Sequence, residues 1–183
     1  MAGAQAAAET AAPGADATSA ADAAPGSATM FGVLCIDERG QRVLHPPRDR
    51  YLDVIDMAAA DGFELCVDVC AVDGLTNRSR VLPPGIEPER FEVVVNLLDL
   101  RGRRRLRLRV QVPADDPQLP SIVDRYPGAE APEREVADLF GISFGGHPDP
   151  SRILMPPDWD GHPLRKDYDI GAIPVQFKAI DGR

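Results

Sequence analysis

Between Pro132 and Tyr168 the chain reads PEREVADLFGISFGGHPDPSRILMPPDWDGHPLRKDY, a run that concentrates carboxylates, arginines, histidines, glycines and prolines. Glu133, Glu135 and Asp138, set around Arg134, are residue types that perform acid–base chemistry. No nucleophile-plus-base arrangement, phosphate-cradling glycine loop or dinucleotide fingerprint accompanies them, so the residues define no active site. On a helix Arg134 and Asp138 stand four apart and can pair. The charged helix therefore reads as a structural or docking element. His147 and His162, with Asp149, Asp158 and Asp160, have the side chains of a metal site. Their spacing matches no pattern that a helix would present on one face, and each histidine precedes a proline that holds it extended. That geometry suits hydrogen bonding within a loop, and no metal is expected.

The remaining candidates are weaker. Cys66 and Cys70 are four apart on an expected strand and should share a face, with Cys35 as the only other thiol. A structural zinc or an iron–sulfur cluster normally takes four ligands, so these cysteines read as small buried hydrophobes. Arg101, Arg103, Arg105, Arg107 and Arg109 could form a nucleic-acid stripe, but no aromatic side chains are interleaved for stacking. Pairing with acidic neighbours and pairing with water are the two readings of that face. A loop gains no stability from a string as specific as Pro132–Tyr168, and recognition of a partner is what it suggests.

Composition narrows the classes further. The net charge of −9 disfavours nonspecific binding to nucleic acid or to an anionic membrane surface. No apolar run approaches the roughly 18–20 residues needed to cross a bilayer. The first basic residue is Arg39, so a signal peptide is not expected and a cytosolic location is. With three cysteines, a disulfide framework is not expected either.

The elements that must position the charged run follow from patterning. Residues 1–29 are rich in alanine, interrupted by Pro13, Gly14, Pro25 and Gly26, and lack an apolar face; a disordered tail is expected. From 30 to 141 an α+β domain should follow. Phe31–Ile36 and Gln41–Leu44 read as strands about the Asp37–Gly40 turn. A helix is expected from Pro46-Pro47 to about Ala60, burying Leu52, Ile55 and Ala59 with Val54 and Ala58. Phe63–Asp73 alternates, with Phe63, Leu65, Val67, Val69 and Ala71 on the apolar face. Gly74–Arg90 should be a mobile loop, Phe91–Leu100 a strand, and Arg103–Val112 a strand joined to it by a hairpin. Leu119–Tyr126 is expected as a short helix and Pro132–Phe140 as a longer one, ended by Gly141, with Val136, Leu139 and Phe140 inward. The expected fold is a small mixed sheet of four to five strands packed by helices, with an irregular, extended segment over 142–183.

Glu133-Arg134-Glu135, Asp138-Leu139-Phe140-Gly141-Ile142, Phe144, Gly146-His147-Pro148-Asp149 and Arg152-Ile153-Leu154 together resemble the signature of the 30 kDa subunit family of respiratory complex I, the C component of proton-pumping NADH:quinone oxidoreductase. Gly161-His162-Pro163-Leu164-Arg165-Lys166-Asp167-Tyr168 resembles the next block of that family. Ser151 and Pro150 depart from it, standing where a basic residue and a leucine are usual. The resemblance implies a cytoplasmic-side subunit of the peripheral arm that touches the membrane only through its complex. It implies no cofactor in this chain; flavin (FMN) and iron–sulfur clusters would lie in partner subunits. The large D component, which forms much of the quinone cavity, would be the nearest partner, with the B and I components close by. Glu133, Arg134, Glu135, Asp138, His147, Asp149, Arg152, His162, Arg165, Lys166 and Asp167 would form the interface. The equivalent subunit of a complex I-like hydrogenase or other dehydrogenase, and a stand-alone assembly protein, are the alternatives.

Overall fold

The computed structural model describes residues 28–77, 79–169 and 171. The expected tail lies outside these residues except for Ala28 and Thr29, as does most of the chain's far end. The first strand, β1, spans Ala28–Met30, so the sheet begins two residues inside the segment expected to be disordered. It pairs with β2, Val33–Glu38, across a tight turn in which Phe31 and Gly32 both take positive φ. The single strand expected over Phe31–Ile36 is thus broken at its start. An aromatic residue in the left-handed region is rare, and only Gly32 marks the turn in sequence. The next turn fits its sequence: Arg39 and Gly40 have positive φ, and the Gly40 N–H donates to Asp37 Oδ1 at 2.9 Å. It leads into β3, Gln41–His45.

After a short 3-10 turn, α1 runs from Tyr51 to Ala60 and buries Tyr51, Val54, Ile55 and Ala58. Leu52, expected inside, faces outward, because the buried stripe starts one residue earlier at Tyr51. Then come β4, Leu65–Asp73; β5, Phe91–Asp99; and β6, Arg104–Val112. The sheet order is β1-β2-β3-β6-β5-β4, antiparallel throughout except where β3 lies parallel to β6. The architecture is α+β, as the patterning implies, with one more strand in the main sheet than expected.

The expected alternation of β4 fails at its middle. Cys66 sits opposite Leu97 and Asp68 opposite Asn96, so Val67 is an extra, bulged residue. Ahead of the bulge Cys66 points inward and Leu65 outward; beyond it Val69 points inward and Cys70 faces the outer side. Leu65 and Val67 are consequently exposed, and Cys66 and Cys70 lie on opposite faces of the sheet. Burial pushes the Cys66 thiol up to about 11, which makes it an inert core residue.

The segment expected as a helix over Leu119–Tyr126 is instead a strand followed by a turn. Gln118–Pro120 forms β7, which pairs in parallel with β8, Ser143–Gly145, in a second small sheet. Pro120 holds Leu119 extended, and at this sheet edge its missing N–H costs nothing. Between the two strands α2 spans Glu130–Phe140. It starts two residues before Pro132, which sits harmlessly in the first turn, where backbone N–H groups lack helical partners. Both helices contribute to one core against the inner sheet face, where Phe91, Val93, Val95, Leu97, Leu106, Leu108, Val110 and Val112 are buried.

Candidate functional site

The C-terminal end of α2 and the segment returning over it bring most of the charged run together. Asp138 is fully buried, and its Oδ2 accepts three consecutive backbone N–H groups, from Ile153 at 3.1 Å and from Leu154 and Met155 at 2.8 Å each. Oδ1 accepts from Arg152 at 2.6 Å. Burial alone would raise this carboxyl, but those N–H groups and the guanidinium outweigh it and hold Asp138 below the usual carboxylate range. The three N–H groups form a small anion nest that fixes an otherwise irregular stretch. Arg152 continues the closure by donating to the Gly161 carbonyl at 3.1 Å.

A helix ends with four carbonyls that have no partner inside it. Here the second charged block caps them in turn. His162 Nδ1–H donates to the Asp138 carbonyl at 2.9 Å, and the Leu164 N–H donates to Leu139 at 3.0 Å. Arg165 donates from Nε to Phe140 at 2.6 Å and from Nη2 to Gly141 at 3.3 Å. Gly141 has φ +68°, and a Cβ there would lie 2.5 Å from the His162 ring and 2.6 Å from Arg165 Nη2. Both the backbone twist and the close approach demand glycine.

The N-terminal half of α2 is tied to the rest of the domain through Glu133, also fully buried. Its carboxylate accepts from the Ser121 hydroxyl at 2.6 Å and from the Ile122 N–H at 2.8 Å. Burial pushes this carboxyl up, and those bonds with nearby His147 only partly offset the effect. His147 donates from Nε2 to the Glu130 carbonyl at 3.0 Å and accepts the Asp149 N–H on Nδ1 at 3.1 Å, which fixes its tautomer. It therefore serves the loop hydrogen bonding that its position before proline implies.

Arg134 does not pair with Asp138. Its partners are Glu130 at 3.0 Å, one turn back, and Asp149 at 3.3 Å, because the Asp138 carboxylate is taken up by Arg152 and the three N–H groups of the nest. Arg134 also donates to the carbonyl and hydroxyl of Ser151 at 3.1 and 2.8 Å, so the serine at this unusual position is used. Glu135 is exposed, as is the side chain of Lys166. Asp167 accepts from Arg90 at 2.6 Å, away from the nest.

Arg90 belongs to an anchor that patterning missed. Buried Asp73, at the end of β4, accepts from Arg90 Nη2 at 2.9 Å, from the Leu75 N–H at 2.9 Å and from the Lys166 N–H at 2.9 Å. These bonds overcome its burial and keep its carboxyl below the usual range. The Arg90 and Arg165 guanidiniums lie over the Phe91 ring at 4.8 and 5.3 Å. The bounds of the supposed mobile loop 74–90 are therefore pinned. Asp73 and Arg90, seventeen residues apart, carry no local motif; the acid closing β4 on its apolar side was the available signal.

The cleft beside Arg134, Asp138, Arg152 and His162 holds only about 200 Å³. Among the described residues no three His, Cys, Asp or Glu side chains are placed to hold a metal ion, and no helix is long and apolar enough to cross a membrane.

The family model for the 30 kDa subunit of respiratory-chain NADH dehydrogenase matches residues 44–173, which include every segment just described. The chain belongs to this family. The C component of the NADH-quinone oxidoreductase of Saccharopolyspora erythraea is 43% identical over 147 residues, covering 79% of this chain and 55% of that protein. Subunit 5 of the enzyme from Thermus thermophilus is 44% identical over 137 residues, 72% of this chain and 63% of its own length. The chain thus spans little more than half the length of these two relatives. In three dimensions it resembles a trypsin-resistant fragment of Nqo5, with TM-score 0.56 and 39% identity over 64% of this chain and 89% of that one. It also resembles a chain of a membrane-bound sulfane sulfur reductase, an archaeal respiratory membrane complex, with TM-score 0.63 and 25% identity over 87% and 91% of the two chains.

Most of the interface residues implied by the resemblance are spent inside the chain. Glu133 ties α2 to Ser121 and Ile122, the side chains of Asp138, Arg152, His162 and Arg165 hold the returning segment to α2, and Arg152 and Arg165, expected to reach toward a neighbour, point inward. What this 30 kDa family member presents outward is the ordered backbone between them, with Glu135, Asp149, Lys166 and Asp167.

Proposed function

We propose that the chain is a non-catalytic subunit of a proton-translocating NADH:quinone oxidoreductase. It supports the quinone-reducing module on the cytoplasmic side of the membrane, against the large D component and near the B and I components. FMN and the iron–sulfur clusters that carry electrons from NADH would lie in those and other partners. The observation that carries this reading is the family match over residues 44–173, coupled to a signature segment whose polar groups order a surface loop instead of gathering at a reactive centre. An irregular segment held this tightly costs conformational entropy, and recognition by a neighbour is a use for it.

The test is deletion of the gene in its host, with a plasmid copy as control. Loss of NADH-driven quinone reduction by membranes, together with co-purification of the chain with the other subunits, is the expected result. Full retention of that activity on deletion would overturn it. A second reading, the same role in a related respiratory reductase with another electron donor or acceptor, draws on the likeness to the sulfane sulfur reductase chain. Under it the chain co-purifies with a large redox complex while NADH oxidation is unaffected by deletion. A stand-alone assembly protein would co-purify with neither.

A further inference from the structure

The hairpin end of the outer sheet face carries apolar and cationic side chains that the fold does not use. Leu65, Leu98 and Arg105 lie in register across β4, β5 and β6, on the face opposite the core. Leu65 and bulged Val67 are about half exposed, and Leu100 in the turn is 63% exposed. Around them stand Arg101, Arg103 and Arg105, all exposed. Among the described residues Arg101 meets only Glu64, at 4.0 Å with both side chains in solvent, and no carboxylate lies within that distance of Arg103 or Arg105. The neighbouring arginines of the same strands contrast sharply: Arg104 is bound to Asp99 and Asp61, Arg107 to Asn96, and Arg109 to Glu92.

One further feature separates this corner from ordinary surface. The bulge at Val67 is what turns Leu65 outward; unbroken alternation back from inward-facing Val69 would have put Val67 and Leu65 in the core. Bulges re-aim side chains and persist where that re-aiming is useful. An aliphatic centre rimmed by cations is the pattern of an interface with a partner of opposite charge.

We infer that this corner is a second docking surface, and that its occupant is an acidic segment of a partner protein carrying aliphatic side chains. The inference rests on the reading of the chain as a subunit of a larger complex. Charge complementarity selects the occupant. A second copy would oppose arginine to arginine, and a flat anionic membrane would cover exposed Glu64 and Asp68 together with the arginines, whereas a single acidic segment can follow the rim from Arg101 to Arg105 and leave both carboxylates in water. The acidic residues of segment 1–27 are the intramolecular competitor.

The experiment places a photo-crosslinking amino acid at Leu65 or Leu100 in the full chain, produced in its host, with Leu52 on α1 as the control position. The expected result is one crosslinked product in which the partner peptide is rich in Asp and Glu, absent from the Leu52 control. Joint Arg101→Glu and Arg105→Glu substitution should lower its yield about tenfold or more, as expected for reversing two rim charges, with the melting temperature unchanged. Leu65→Ser is the second variant and should lower the yield without altering charge. Crosslinks to the chain's own residues 1–27, to a second copy, or to nothing would overturn the proposal, as would insensitivity to charge reversal or binding of the purified chain to anionic phospholipid vesicles. If the chain co-purifies with the complex yet this corner crosslinks to nothing, the docking surface fails while the functional reading stands. An acidic, charge-sensitive partner outside any respiratory complex would preserve the surface and overturn that reading.

Discussion

Glu133 and Asp138 are two fully buried carboxylates on one helix whose surroundings push their ionisation in opposite directions. Asp138 is wrapped by three N–H groups and a guanidinium, so its charged form is the stable one. Its contribution to stability is present above the ordinary carboxylate range near pH 4 and is lost as pH falls through its lower folded value. Glu133 lies deeper in the domain and accepts fewer hydrogen bonds, so desolvation wins and its folded pKa is raised; its contribution is present at acid pH and declines as pH rises through that value. Urea unfolding at neutral pH should therefore separate them. Asp138→Asn leaves Arg152 without its charge partner and should cost about 3–5 kcal/mol. Glu133→Gln keeps an acceptor for the Ile122 N–H and a donor for Ser121, and should stay within about 1 kcal/mol of the parent. Glu133→Ala orphans that N–H and should cost about 1–3 kcal/mol. A large loss in Glu133→Gln would mean that the charge itself is needed. His45 gives a third pH signal. It is buried beside Arg109 with neither ring nitrogen bonded among the described residues, and burial, then Arg109, pushes its pKa down. The unfolded chain takes up the proton first, so stability should fall as pH drops from about 6.5 toward the lower folded value, and His45→Phe should flatten that part of the profile.

At the scale of elements, α2 and the segment returning over it are one structure, and Gly141 is the joint between them. Gly141→Ala adds a left-handed backbone cost of about 1–2 kcal/mol and pushes a methyl group against His162 and Arg165. Hydrogen exchange should then quicken at the Leu164 amide, bonded to the Leu139 carbonyl, ahead of any change in the central strands. Uniform quickening across the sheet would show that the cap is not a separable unit. The sequence showed α2 and its end clearly, because Val136, Phe140 and Gly141 are local signals. It showed β5 and β6 for the same reason, in their alternation of buried and outward residues. It hid the bulge in β4, since a period of two cannot reveal a residue inserted without a break in composition. It also hid β7, where Ile122 and Val123 looked helical but Pro120 had already forced the chain to extend. The partners of Asp73 and Asp138 were illegible for another reason: hydrogen bonds to backbone N–H groups depend on where the chain passes and carry no residue-type signal.

For the molecule as a whole, the open matter is how the charged run is divided between holding the fold and meeting a partner. Arg165 and Lys166 are adjacent in sequence and opposite in placement. Arg165 donates to two helix-end carbonyls and lies over Phe91, so it is bound up in the domain. The Lys166 side chain is exposed and has no carboxylate within ion-pair distance among the described residues, while its N–H is held by Asp73. Arg165→Ala should therefore cost about 1–3 kcal/mol in the isolated chain, the range for losing hydrogen bonds from a charged donor. Lys166→Ala should leave unfolding within about 0.5 kcal/mol, as surface substitutions do. If the segment is the surface through which the chain joins its complex, Lys166→Ala or Lys166→Glu should still reduce the amount of assembled complex on native gels, because a charge at a protein interface acts on association without stabilising the free protein. Arg165→Ala should reduce assembly only in proportion to the folded fraction it leaves. The reverse pattern, in which Arg165→Ala melts like the parent yet fails to assemble and Lys166→Ala assembles normally, would show that Arg165 leaves α2 to meet the partner and that the packed segment opens on docking.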